Sequence, residues 1–244
     1  MDSNKFCFII CTNNSVLLEE CIHYLQHLVV PAGYTIDLLT IRDAASMTSG
    51  YQEAMEQSDA KYKVYLHQDV FILNKYFLTD LLSIFEADSG IGMVGMVGYE
   101  TVAEDGIMWH RKRIGAIYQK RKIESYTDYH KYRYSISSDG YTRVAVVDGF
   151  LIATAYDISW NTQELQGFDF YDVFQCMEFL KRGYKIVVPT QRNPWCMHDD
   201  NRLLDLFYYD QYRQIFLNKY KYALGKSDRQ IMAAAGKEAD WKPD

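Results

Sequence analysis

The feature that most constrains this chain is a set of short segments that are apolar at nearly every position. They are "KFCFIIC" (5–11), "KVYL" (63–66), "IGMVGMVG" (91–98) and "YKIVVP" (184–189). A strand with one wet face alternates apolar and polar residues, whereas a strand covered on both faces does not. Between these runs the apolar residues recur at helical spacing. Leu18, Cys21, Ile22, Leu25 and Leu28 make one such set, and Met47, Tyr51, Ala54 and Met55 another. A third helix, Tyr76–Ala87, is expected behind an Asn74 cap, and Asn13, Asn14 and Ser15 offer caps for the first. "TIDLLTI" (35–41) reads as a second strand ending at Arg42 and Asp43. Strands alternating with helices predict an α/β protein with a mostly parallel central sheet covered on both sides.

The rhythm breaks at Tyr99–Thr142, which is polar, tyrosine-rich and weakly periodic, and predicts loops, short strands or a lid. Order returns in Arg143–Asp157, two apolar runs broken at Asp148-Gly149. A helix over Tyr171–Gly183, stopped by glycine, precedes the last strand, and an aromatic-rich helix is expected over Leu203–Leu224. No repeat or linker divides the chain. The expectation is one domain over 1–230, with an irregular insert at about 99–142, a C-terminal helix at about 201–224 and a frayed tail over 231–244.

Composition narrows the function. The 244 residues carry a net charge of −6, which disfavours nucleic acid as a partner. Two basic clusters, Arg111-Lys112-Arg113 and Lys120-Arg121-Lys122, are solvated surface or a meeting place for an anionic substrate. Cys7, Cys11, Cys21, Cys176 and Cys196 contain no CxxC pair and read as reduced, buried thiols of a cytoplasmic protein. No apolar run approaches the ~20 residues of a membrane span. "KFCFIIC" is too short for a signal-peptide core and reads as the first strand of a mature protein. "CTNNSV" stands where a dinucleotide-binding chain has G-x-G-x-x-G, and neither a P-loop nor a G-x-S-x-G elbow occurs.

Parallel sheets bind ligands at the carboxyl ends of their strands. Polar residues gather there: Thr12 and Asn13, Arg42 and Asp43, and His67-Gln68-Asp69. With Asp172 and His198 they make a set of carboxylates and imidazoles suited to a divalent ion such as Mg²⁺ or Mn²⁺. Each residue also has a plain structural reading. His67 is a ligand or a satisfied core histidine, Asp43 a nucleotide contact or a helix cap, and Asp172 a base or a carboxylate at a helix N-terminus. His198 is a ligand or bonds a nearby carbonyl.

The order of the segments carries a resemblance. "FIICTNN", "IRDAASMTSGYQEAM", "SDAKYKVYLHQDVFI", "IGMVGMVG", "VDGFLIATAYD", "GFDFYDVFQCMEFLKRGYKIVVP" and "WCMHD" follow one another as in family-2-type glycosyltransferases of the GT-A fold. More narrowly, the chain resembles the glycosyltransferase-like domains named after the StrF protein of streptomycin biosynthesis, from about Lys5 to Asp200. The resemblance implies a three-layer α/β/α fold and inverting transfer of a sugar from a UDP- or GDP-sugar to a saccharide or other hydroxyl acceptor, with Mn²⁺ or Mg²⁺. It places Cys11, Thr12, Asn13, Asp43 and Gln68 at the nucleotide and Asp148 and Gly149 beside the donor sugar. His67-Gln68-Asp69 takes the place of the DxD motif. Asp69, His198 and His67 are thereby implied as metal ligands, and Asp172 as the base that deprotonates the acceptor. Trp109 and Tyr171 fall on the acceptor side, with the 99–142 stretch shaping its pocket. Trp160 and Trp195 read as core.

The chain departs from the pattern where His67 replaces the first Asp of DxD, Tyr171 the Glu before the base, and Phe174 a later Asp. These departures put activity, not fold, in question. They keep a second reading open, a module that binds a nucleotide-sugar or glycan without catalysis. A nucleotidyltransferase needs a Gly-rich loop that "TNNSV" lacks. An assembly protein acting through its 21 tyrosines and a homo-oligomer both stay open.

Overall fold

The computed structural model describes residues 1–123, 126–135, 140–199 and 206–236. In chain order the strands and helices are β1 (Asp2–Thr12), α1 (Ser15–Gln26), β2 (Thr35–Arg42), α2 (Met47–Gln57), β3 (Ala60–His67), β4 (Val70–Ile72), α3 (Phe77–Ala87), β5 (Ile91–Gly95) and β6 (Val97–Tyr99). There follow β7 (Arg113–Ile123), β8 (Tyr126–Arg133), β9 (Tyr141–Arg143), β10 (Val146–Val147), β11 (Leu151–Thr154), α4 (Tyr171–Lys181), β12 (Lys185–Pro189), β13 (Cys196–His198), α5 (Leu206–Lys219) and α6 (Asp228–Ala234).

The main sheet has the order β2-β1-β3-β11-β5-β12-β9. Strands β1, β2, β3, β5 and β12 run one way, and β11 and β9 run against them. The sheet is therefore mixed, with β11 inserted antiparallel between β3 and β5. A second sheet, β10-β6-β7-β13-β4, stands beside it.

Strand β1 shows why its run is apolar throughout. Phe6, Phe8 and Ile10 join the core on one face with α1 and α3, while Cys7, Ile9 and Cys11 join the core on the other with α2 and α4. Burying a large apolar side chain contributes roughly 1.5–3 kcal/mol, so both faces of this strand hold the layers together. Strand β2 is the edge of the sheet and is half-exposed. All five cysteines are free and buried. Among the described residues no helix is long and apolar enough to cross a membrane.

Local signals act as expected at two helices. Asn14 caps α1, its side chain accepting from Val16 N–H and Leu17 N–H. Ser46 caps α2 in a reciprocal box with Ser49, which leaves Asp43 out of the helix start. Helix α3 differs from expectation: Tyr76 holds the cap position without a side-chain bond, and Asn74 instead accepts from Tyr76 N–H and donates to Asp80.

Two stretches depart further. Much of the 99–142 segment is a hairpin, β7 paired antiparallel to β8 through Ile123↔Tyr126. Its period of two is carried by tyrosines: Tyr132 and Tyr134 are half-buried, while Lys131, Arg133 and Ser135 between them are exposed. Strand β8 is mostly exposed and has no need of an apolar face, which hides it from a search for apolar alternation, while Ile114, Ala116 and Ile117 of β7 are buried. The expected fraying from 231 is also corrected. Ile231 and Met232 in α6 are fully buried, because α6 packs on α4. The aromatic helix ends at Lys219, and residues 200–205 and 237–244 lie outside the described residues.

Candidate active site

A cleft of about 950 Å³ opens where β1 and β3 end. Cys11, Thr12, Asn13, Asp43, His67, Gln68, Asp69, Trp109, Asp148 and His198 all line it. Gly149, Tyr171 and Asp172 do not line it: Gly149 follows the lining Asp148, Tyr171 meets the lining His67, and Asp172 stands behind Gly149. A second cavity of about 1060 Å³, bordered by Tyr118, Tyr141, Arg192 and Trp195, contains none of these candidates.

Gln68 ties the floor together. Its carbonyl oxygen accepts from Thr12 Oγ1 (2.7 Å), Asn13 N–H (3.1 Å) and Asn14 N–H (2.9 Å), and its amide donates to Asn13 Oδ1 (2.8 Å). These bonds fix the β1–α1 turn, and the same side chain lines the cleft. Asp43 N–H donates to Thr12 O (3.0 Å), bringing the exposed carboxylate to the rim in a left-handed turn (φ 49°). Burial pushes the Cys11 thiol up to about 12, so it stays protonated as part of the wall.

Three side chains from two sheets meet across the floor. His198 Nε2 lies 3.5 Å from Asp69 Oδ1, and His67 Nδ1 lies 4.0 Å from the same oxygen. One ligand atom from each residue falls within 4.8 Å of the others. Two ligands of one ion, each at ~2.0–2.2 Å, stand no more than about 4.4 Å apart, so both measured separations suit a shared divalent cation. The backbone sets this meeting: β13 pairs antiparallel to β4 with His198 opposite Val70, and Asp199 N–H donates to Asp69 O (2.9 Å). Phe150 stacks on His198, with ring centroids 5.3 Å apart. Burial pushes the Asp69 carboxyl up, but the bond and charge of His198 and the charge of His67 outweigh it and hold it below the ordinary value.

Behind this floor lies the start of α4. Phe170 precedes the helix in a left-handed conformation (φ 63°), a position costly to a bulky residue. Packing of its ring against Tyr209 and Phe216 fixes it there. The turn directs Tyr171 and Asp172 at the Asp148-Gly149 loop. Asp172 Oδ2 accepts from Gly149 N–H (2.9 Å) and Oδ1 from Val173 N–H (2.8 Å). Burial, reinforced by the charge of Asp148, pushes its carboxyl up to about 7 despite the lowering effect of those N–H groups. Gly149 is required for space: a Cβ there would sit 2.4 Å from Tyr171 Oη and 2.9 Å from Asp172 Cβ.

Tyr171 is buried, and its hydroxyl meets His67 Nε2 at 2.5 Å, so its side chain does not form an acceptor wall. Trp109 does reach the mouth, 41% exposed, with its ring on Tyr209 (5.1 Å). Phe174 is buried against Phe216 and Tyr220, and Trp160 against Tyr51 and Tyr65. Lys120 is held by Asp199 at 2.5 Å, and Lys112 by Glu100 at 3.2 Å. Phe168, Gln119 and Asp199 also line the cleft and were not anticipated. Register explains Gln119, which stands opposite His198 across β7 and β13. For Asp199, its place beside His198 was a usable signal.

The layered sheet with this polar floor at its strand ends defines the α/β fold of GT-A glycosyltransferases. The chain belongs to the glycosyltransferase-like family, whose model matches residues 7–220, and the enzyme class is glycosyltransferase. Solved structures with the same fold include the mannosyltransferase PcManGT from Pyrobaculum calidifontis in complex with GDP-Man and Mn²⁺. It is 11% identical, with a TM-score of 0.54 over 97% of this chain and 69% of that one. Residues 1–349 of S. aureus TarS are 13% identical, with a TM-score of 0.54 over 94% of this chain and 69% of that one. The same TarS fragment in complex with UDP-GlcNAc gives 13% and 0.51, over 95% and 71%. No curated protein matches the sequence.

Proposed function

We propose that this protein transfers a sugar from a UDP- or GDP-sugar to a hydroxyl of a saccharide or similar acceptor, with inversion, and that it falls in the StrF-like group. The observation that carries the reading is the convergence of His67, Asp69 and His198 on one point of the cleft floor, with Asp172 one loop behind. The resemblance to solved enzymes holding GDP-Man or UDP-GlcNAc supports the donor class.

The donor set fits a divalent ion, with His67, Asp69 and His198 as its ligands. Such an ion supplies positive charge against the diphosphate as it leaves. The chain's own residues do the rest. Cys11, Thr12, Asn13 and Asp43 form the wall for the base and ribose, held by Gln68. Asp148 and Gly149 border the donor sugar. Asp172, raised to about 7, accepts the acceptor's proton as its oxygen attacks the anomeric carbon. A single displacement with a single base inverts that centre. Trp109 at the mouth gives the acceptor ring a face to stack on.

The second reading, a binding module without turnover, draws on two observations: two backbone N–H groups hold Asp172, and it does not line the cleft. A thermal-shift series of nucleoside diphosphates and their sugars, with and without Mn²⁺, tests the first step. Stabilisation by a nucleotide-sugar that depends on Mn²⁺ is expected, and none with any nucleotide rejects the transferase and the nucleotide-sugar form of the second reading. Release of nucleoside diphosphate then separates transferase from binding module.

A further inference from the structure

Two of the departures from the family pattern touch each other. His67 stands where the DxD motif has its first Asp, and Tyr171, 104 residues on, where the pattern has Glu. The Tyr171 hydroxyl and His67 Nε2 are 2.5 Å apart. Tyr171 is buried, its ring wedged against Tyr51 (5.8 Å) and its hydroxyl against the Cα of Gly149, where any side chain would collide with it. The hydroxyl therefore cannot swing away, and it fixes which way the His67 ring faces.

With Nε2 turned to Tyr171, the other nitrogen, Nδ1, faces Asp69 and the His198 side of the floor. A neutral imidazole carries its proton on one nitrogen and a lone pair on the other, and the bond made by one sets the role of the other. Ligation through Nδ1 requires the proton on Nε2, from where it can donate to the Tyr171 oxygen, and the Nδ1 lone pair is then aimed at the shared point. This is the arrangement in which an outer partner orients a ligating histidine. The floor then offers two imidazole nitrogens and one carboxylate, where an acidic motif offers oxygen alone. Mg²⁺ and Ca²⁺ favour oxygen ligands, whereas imidazole suits first-row transition ions.

We propose that Tyr171 is a positioning residue that locks His67 Nδ1 into the cation site, and that the resulting two-nitrogen, one-oxygen site selects a first-row transition ion over Mg²⁺. The inference rests on the reading that His67, Asp69 and His198 hold an ion.

The test titrates the intact protein with Co²⁺, followed by its visible absorption, and with Mn²⁺, followed by loss of the free-ion electron paramagnetic resonance signal, each in competition with Mg²⁺. For the wild-type protein, Co²⁺ is expected to bind at least about tenfold more tightly than Mg²⁺, with Mn²⁺ between the two. Tyr171→Phe removes one oxygen and keeps the ring. It should weaken Co²⁺ binding about 10–100-fold, the range for loss of an outer partner, and leave Mg²⁺ binding nearly unchanged. His67→Asp should narrow the Co²⁺ preference over Mg²⁺ by about tenfold or more and make Tyr171→Phe silent in the double variant. Circular dichroism checks that each variant folds, and His67→Asp carries the test if Tyr171→Phe does not. Equal binding of Mg²⁺ and Co²⁺ by the wild-type protein, or a Co²⁺ spectrum and affinity indifferent to either substitution in a folded variant, overturns this inference alone. Failure of the wild-type protein to bind any of the three ions overturns it together with the metal reading.

Discussion

The two walls of the cleft are built differently. On the inner wall, the ends of β1 and β3 are joined by four hydrogen bonds to the single side chain of Gln68, and His198 is delivered by the β13–β4 ladder. At the outer lip, Trp109 and Phe168 stand 41% and 43% exposed, and the Trp109 ring rests on Tyr209. Groups held by main-chain ladders keep their separations when one side chain changes, because the strands on either side fix them. Groups held by ring contacts at a surface can be exchanged without disturbing the fold. The inner wall is therefore suited to fixed chemistry, and the outer lip to choosing what enters.

Substitutions should separate the two walls, and the largest effect belongs to the carboxylate behind the inner one. Asp172→Asn is expected to lower turnover by about 10²–10⁴-fold while leaving nucleotide-sugar binding intact. Unreduced turnover in this variant would refute the base assignment. The wild-type rate should rise with pH through about 7, since the base acts when ionised. The same shift predicts a stability effect of known sign. The folded state keeps the Asp172 proton from the ordinary value near 3.8 up to about 7, so stability falls as pH rises across that window. The Tm of Asp172→Asn should therefore gain on wild type between about pH 4 and about pH 7.

Next in size, Asp69→Asn should weaken Mn²⁺-dependent nucleotide binding by more than about 100-fold, read by calorimetry, because Asp69 is the carboxylate that both histidines face. A variant that still needs Mn²⁺ at wild-type affinity would remove Asp69 from the site. Gly149→Ala should cost about 1–3 kcal/mol through the collision with Tyr171, measured by denaturant unfolding. Gln68→Leu leaves the Asn13 and Asn14 N–H groups without their acceptor in a partly solvated turn, and about 1 kcal/mol is expected by the same method. The smallest effect is at the lip. Trp109→Ala should raise the acceptor KM by roughly 2–10-fold, from ~0.5–1.5 kcal/mol of lost stacking, with Tm unchanged. A fall in Tm as large as that of Gly149→Ala would show that the two walls are not independent.

Legibility along the chain followed the range of the signal. Phe6 to Cys11 announced a strand buried on both faces, and Leu18, Cys21 and Leu25 a helix, because those periods are local. Asp69 and His198 were legible as strand-end polar groups. The β7–β8 ribbon was not, since the exposed strand β8 keeps its alternation in tyrosine and lysine and satisfies no apolar template. The burial of Ile231 and Met232 at the end of α6 was not legible either, because it depends on α4, far back in the chain.

By itself, then, the order of residues determined the alternating architecture, the layer each strand faces and the polar groups at the strand ends. Backbone geometry and apolar burial act over a few residues and leave a period that can be read. Only the tertiary structure decided that Gln68 would tie down the wall that it lines, and that Asp172 would be buried until its carboxyl rose to about 7. It alone brought His67 and Tyr171 together across 104 residues. Contacts between distant segments depend on how the layers close, and no local period records that.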